Sequence, residues 1–179
     1  MPIFAKDSGG GDFIPAPEGQ YQAVCVDIID LGLREVEWKG EKSMRHQIRA
    51  VFQLDKEMPD SGKPYTVSAW FTLSLHEKAK LRAFIEQIYG KRFTQEVPQK
   101  GFDVEKLLGV NGNLNILWND KQKPYIASVM PRLANQPLLE AKEYTRVKDR
   151  PARDAQTSQA QTATAGGPVI GIASDDIPF

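Results

Sequence analysis

The side chains best suited to chemistry in this sequence are aromatic rings set beside cations. In the stretch Tyr65–Ser74, Trp70 shares one alternating face with Thr66, Ser68, Thr72 and Ser74, while Tyr65, Val67, Ala69, Phe71 and Leu73 share the other. One stretch earlier, Met44, His46, Ile48, Ala50, Phe52 and Leu54 alternate with Arg45, Gln47, Arg49 and Gln53, which puts Arg45 and Arg49 on a polar face. The segment Trp38-Lys39-Gly40-Glu41-Lys42 sets a ring beside two lysines, and Lys121, Lys123 and Tyr125 do the same later in the chain. Lys63 and Tyr65 flank another turn. A ring offers a π-face on which a base can stack, and a cation follows a phosphate backbone, so this pairing equips a chain to hold a single nucleic-acid strand without reading its sequence.

Catalysis has no comparable equipment. The sequence contains no G-x-S-x-G, no H-E-x-x-H and no P-loop. Gly9-Gly10-Gly11 precedes no strand-to-helix turn and reads as a loose leader. Asp27 and Asp30 are close enough in sequence to share a metal, but two carboxylates in a chain with 23 acidic residues are ordinarily solvated. His46 and His76 read as a strand residue and a helix-end residue. The lone Cys25 excludes an internal disulfide and an all-cysteine metal cluster. No cofactor, metal or catalytic residue is expected.

Charge is balanced overall, with 23 basic and 23 acidic residues, yet unevenly placed. Through Arg150 there are 22 basic against 20 acidic residues; beyond it there are 1 and 3. The body is therefore weakly basic and the end acidic, which permits nucleic-acid binding without the strongly basic footprint that would announce it. No apolar run approaches the roughly 20 residues of a membrane span. The N-terminus lacks the layout of a secretory signal, so a cytoplasmic location is expected.

The elements that must position these residues are mostly strands. Tyr21–Leu31, Met44–Leu54 and Tyr65–Ser74 read as three strands, and His76–Tyr89 as the main helix, its apolar stripe Ala79, Leu81, Phe84, Ile85 and Ile88 ended by Gly90. A short turn of helix capped by Asp103 follows. A fourth strand carries Val110, Gly112, Leu114, Ile116 and Trp118 on its apolar side, which assigns Trp118 to the core. A fifth runs from Pro124 to Met130, and Leu138–Tyr144 reads as a last short helix. Three strands, a helix and two strands match the OB-fold, a five-stranded Greek-key barrel that displays ligand sites on its second and third strands and on the loops joining strands 1–2 and 4–5. The expected organisation is a flexible lead-in (1–18), a mainly β, OB-fold-like domain (19–148), a disordered linker (149–170) and an acidic tip (171–179). The linker expectation rests on composition, since Ala, Gln, Thr, Ser and Gly cannot bury enough apolar surface to offset chain entropy.

The tip, Asp175-Asp176-Ile177-Pro178-Phe179, combines two acids with a ring and a free carboxylate on the final residue, a form suited to capture by a basic-rimmed apolar pocket. These five residues resemble the acidic tip of bacterial single-stranded DNA-binding proteins. Phe13–Gly19 and Leu75–Gly90 are more similar to single-stranded DNA-binding proteins of bacteriophages. The resemblance implies an OB-fold that coats single-stranded DNA in replication, recombination and repair, and a tip that docks on the enzymes of those processes; a phage protein would do so in the host cytoplasm. The usual tetramer of the bacterial family finds no matching surface in the sequence, which leaves a homo-oligomer open. Two other readings stand beside it: a protein-interaction module, such as a recombination mediator or replisome adaptor, and an RNA-binding barrel.

Overall fold

The computed structural model describes residues 14–150. The chain divides into two units, residues 1–144 and 145–179. Of the second unit the described part is a single 3₁₀ turn, Val147–Asp149, beside which the Arg150 Nε donates to the Thr145 carbonyl at 3.2 Å. The expected linker beyond Arg150 and the acidic tip lie outside the described residues, as does most of the lead-in.

The first unit is built on five antiparallel strands: β1 (Gly19–Trp38), β2 (Glu41–Glu57), β3 (Pro64–Thr72), β4 (Asn111–Trp118) and β5 (Pro124–Pro131). They hydrogen-bond in the order β3-β2-β1-β4-β5. The expected closed barrel is therefore an open sheet whose two edges are β3 and β5. Between β3 and β4 run helix α1 (Lys80–Tyr89), helix α2 (Glu96–Lys100) and a 3₁₀ turn at Val104–Leu107, where the Asp103 carboxylate accepts the Glu105 N–H at 3.0 Å.

Alternation in β2 sorts its residues as the sequence implies. Ile48, Ala50, Phe52 and Leu54 are buried on the face that α1 covers, where Leu81, Phe84, Ile85 and Ile88 meet them. The Phe84 ring lies 5.5 Å from that of Phe52 and 5.0 Å from that of Phe71, tilted to both. Gly112 lets α1 approach β4 closely: a Cβ there would lie 2.7 Å from Ile88 Cγ1 and 3.1 Å from the Met130 carbonyl oxygen. Gly90 ends α1 in the left-handed region, with φ at 64°. Just before that end, Glu86 accepts from Arg82 and from the Phe93 backbone, tying the following loop to the helix. The Phe93 N–H above all, with Arg82, holds the Glu86 carboxyl below its ordinary range against the effect of burial.

Several expectations are corrected. The main helix starts at Lys80 and not at His76: the Ala79 backbone is extended (ψ 134°), and before it lies a turn in which Ser74 Oγ accepts from His76 N and His76 Nδ1 from Lys78 N. Leu138–Tyr144 is not a helix but part of an extended strap. The Asn111 side chain both accepts from Leu139 N (2.7 Å) and donates to Leu139 O (3.0 Å); that of Gln53 does the same with Lys142 N (2.8 Å) and O (2.7 Å). Those are the groups a helix would have paired internally. Gln22 adds a bond to the Pro137 carbonyl at 2.6 Å, and Asn113 exchanges two with Gln136. Leu139 and Tyr144 of the strap cover a second apolar cluster, Val24, Val26 and Val51, on the sheet face away from α1. Trp118 is 38% exposed rather than core; it ends its strand beyond Ile116, and its indole N–H donates to the Ala16 carbonyl at 2.8 Å.

The first two strands also outrun the expected ends. β1 and β2 stay paired from Ala23↔Leu54 out to Trp38↔Glu41, past the last pairing of β1 with β4 at Val24 and of β2 with β3 at Gln47. The outer part is a two-stranded ribbon projecting from the sheet. Its turn is Lys39-Gly40, both at positive φ (52° and 82°), as a two-residue type I′ hairpin demands.

Candidate nucleic-acid interface

Register brings the ring and cation of the polar face together. Arg49 of β2 pairs directly with Trp70 of β3, on the face away from α1. Trp70 is 56% exposed, and the Arg49 guanidinium carbon stands 5.8 Å from its ring centroid, within cation–π range. The Arg49 Nε is buried without a hydrogen-bond partner among the described residues.

The same face continues onto the ribbon. Beyond Gln47↔Thr72 come Arg34↔Arg45, Val36↔Ser43 and Trp38↔Glu41. Two arginines directly opposite in a ladder repel each other, and an anion lying between them relieves that repulsion. Arg45 Nε donates to Ser43 Oγ at 3.1 Å. At the tip Trp38 is 68% exposed, with the Lys39 ammonium 5.9 Å from its ring centroid. Trp70, Arg49, Arg45, Arg34 and Trp38 thus form one row.

On the other side of Trp70 opens a cleft of about 910 Å³. Both sheet edges, β3 and β5, line it, with Lys80 and Phe84 of α1, Lys123 and Tyr125. In the β4–β5 turn a single acceptor, Asn119 Oδ1, takes the backbone N–H groups of Lys121 and Lys123, each at 3.0 Å. That clamp fixes the turn's backbone and leaves both lysine side chains exposed.

The expected residues are therefore gathered unequally. Trp70, Lys123 and Tyr125 line the cleft; Arg45, Arg49, Trp38 and Lys39 occupy the row; Lys121 sits at the neighbouring turn. Lys42 falls on the opposite face of the ribbon and pairs with Glu35 at 3.1 Å. Lys63 precedes β3, seven residues from Trp70, or about 23 Å along an extended strand. The tip residues Asp175, Asp176, Ile177, Pro178 and Phe179 lie outside the described residues. Arg34 and Lys80 were not expected. Arg34 becomes visible once β1 is known to continue to Trp38, and Lys80 once the helix is known to start there.

Asp27 and Asp30 are not partners. Asp27 is buried under the strap, where Tyr144 Oη donates to its Oδ2 at 3.1 Å. Asp30 pairs opposite Ile48 at the ribbon root, where it accepts from Gly32 N and meets His46 Nε2 at 2.5 Å. The Gly32 N–H first, then His46, lowers its pKa from the usual carboxylate range. Among the described residues no group of three or more His, Cys, Asp or Glu side chains is arranged to hold a metal ion. No helix among them is long and apolar enough to cross a membrane.

Compared with protein-family models, with curated proteins and with solved structures, the chain finds no match.

Proposed function

We propose that this protein binds single-stranded DNA non-catalytically and with little sequence preference, as a coating and protecting factor in DNA replication, recombination and repair, and that its terminal Asp175–Phe179 recruits partner enzymes. The observation that carries the reading is Trp70: an exposed ring with a guanidinium against it, at the border of a cleft that also presents Tyr125, Lys123 and Lys80. Stacked bases on rings and phosphates on cations need no hydrogen-bond readout, which is why such a surface tolerates any sequence. The strand order supports an OB-fold reading, since β3-β2-β1-β4-β5 becomes the five-stranded Greek-key barrel when its edges β3 and β5 are brought together, with the main helix between strands three and four. The resemblance of the tip to that of bacterial single-stranded DNA-binding proteins supports the recruiting role.

A protein-interaction module is the second reading, favoured by one observation. β3 and β5 are both sheet edges and border the same cleft, so their free backbone groups offer an extended peptide a strand to pair with.

The two readings part on Trp70→Ala. Loss of one stacking platform costs about 1–3 kcal/mol, or about 5- to 150-fold in affinity for oligo-dT at matched salt. Unchanged affinity removes Trp70 from the DNA site.

A further inference from the structure

The free edge of β3 carries chemistry that its side chains do not show. In an antiparallel ladder, residues alternate between turning both backbone groups toward the partner strand and turning both away. Leu73, just past β3, donates its N–H to the His46 carbonyl at 2.8 Å, and the pairing Gln47↔Thr72 sets His46 directly opposite Leu73. Counting back by twos along an unbroken register, Phe71, Ala69 and Val67 turn their N–H and C=O toward β2, opposite Ile48, Ala50 and Phe52. Thr72, Trp70, Ser68 and Thr66 therefore turn theirs away, onto an edge with which no strand pairs. The Thr72 carbonyl agrees with this, since it accepts from Ser74 N at 2.8 Å and not from β2. The other three residues all line the cleft between β3 and β5.

Those groups give the cleft a row in which donor and acceptor alternate. Val67, Phe71, Phe84 and Ile126 line the same cleft and offer apolar contact to the face of a flat ring. Lys80 and Lys123 line it too, and among the described residues no Asp or Glu does, which suits a polyanion better than a neutral peptide. Trp70 belongs both to this lining and to the row of rings and cations, so the cleft continues the proposed DNA path. Every DNA base carries a donor beside an acceptor on its Watson–Crick edge: N3–H beside O4 in thymine, N4–H beside N3 in cytosine, N6–H beside N1 in adenine, N1–H beside O6 in guanine. A residue whose N–H and C=O both face outward can meet such a pair, and because the main chain offers it to all four bases it excludes none. We infer that the cleft takes one base unstacked from the strand and bonds its Watson–Crick edge through the outward main chain of Ser68. The inference rests on the DNA reading above and adds a hydrogen-bonded base to the stacked ones.

Two oligomers of equal length and charge test this with the full chain at matched salt: oligo-dT, and its N3-methylthymine counterpart, which keeps the ring faces and phosphates but has lost the N3–H. The parent should bind the methylated oligomer about fivefold or more weakly, because the Ser68 carbonyl is left without a donor. Ser68→Pro removes the outward N–H and no ladder bond, a substitution that an edge strand accepts where the N–H faces away from its partner. It should bind oligo-dT about 2- to 12-fold more weakly than the parent does, and separate the two oligomers less. Circular dichroism and the urea midpoint establish that the variant is folded; if it is not, the parent's comparison of the two oligomers decides alone. Equal affinity of the parent for both oligomers overturns the inference and leaves the DNA reading standing. A folded Ser68→Pro chain that matches the parent on both also overturns it, and either result returns the free edge to an extended peptide. No binding to oligo-dT at all would overturn the DNA reading itself, and this inference with it.

Discussion

At the scale of single residues, position along a strand decides which cations belong to the proposed DNA path. Lys123 lies at the cleft with Tyr125, while Lys63 stands about 23 Å from Trp70 by strand length. Both are exposed lysines of equal charge, so bulk electrostatics treats them alike and only location separates them. Each phosphate contact with a single strand contributes about 0.7 to the slope of log affinity against log salt. Lys123→Ala is expected to lower that slope by about this amount for oligo-dT, and Lys63→Ala to leave it unchanged; equal effects from both would mean that the protein attracts DNA through diffuse charge and not along this path. Trp70 was legible in the sequence because the faces of β3 are chemically distinct, apolar on one side and hydroxylated on the other. Arg34 was not: Glu35-Val36-Glu37-Trp38 does alternate, but the apolar run Tyr21–Leu31 gives way at Gly32 to a charged stretch, so the continuation of β1 through Arg34 went unread.

At the scale of elements, the strap is the feature least like its sequence. Leu138–Tyr144 has helical spacing, but propensity lost to tertiary amides: Asn111 and Gln53 offer a donor and an acceptor each, in the geometry of a missing strand. Such pairing depends on residues 28 and 89 positions away, beyond the reach of any local pattern. Asn111 is buried, so its removal leaves the Leu139 N–H and carbonyl without partners. Asn111→Ala is expected to destabilise the domain by about 1–3 kcal/mol, read as a lower urea midpoint with little change in m. A variant as stable as the parent would show the strap to be dispensable. By contrast α1, β2, β3 and β4 were recognisable, at least in type and order, because each carries a strong local signal: a 3.6-residue stripe ended by Gly90, or a period of two bounded by turns. Barrel closure carries no such signal, since it is set by the separation of β3 and β5 and not by the residues within either.

At the scale of the whole molecule, one sheet supports three different surfaces. Its inner face packs on α1, and its outer face is covered by the strap up to Tyr144 but bare at Arg49 and Trp70. The ribbon continues the bare outer face as far as Trp38, and on its other side sets Leu33 and Met44 among His46, Glu35, Lys42 and Glu37. Near-neutral net charge is compatible with this division, because the cations of the row and cleft are concentrated on one path while acidic residues such as Glu35 and Glu37 face elsewhere. The central claim is that this path holds single-stranded DNA. The most direct test is a tryptophan-fluorescence titration of the intact chain with oligo-dT, oligo-U and duplex DNA at one salt concentration. Saturable quenching by oligo-dT, with weaker response to oligo-U and little to the duplex, is the predicted result; no response to any of the three, or a preference for the duplex, would contradict it.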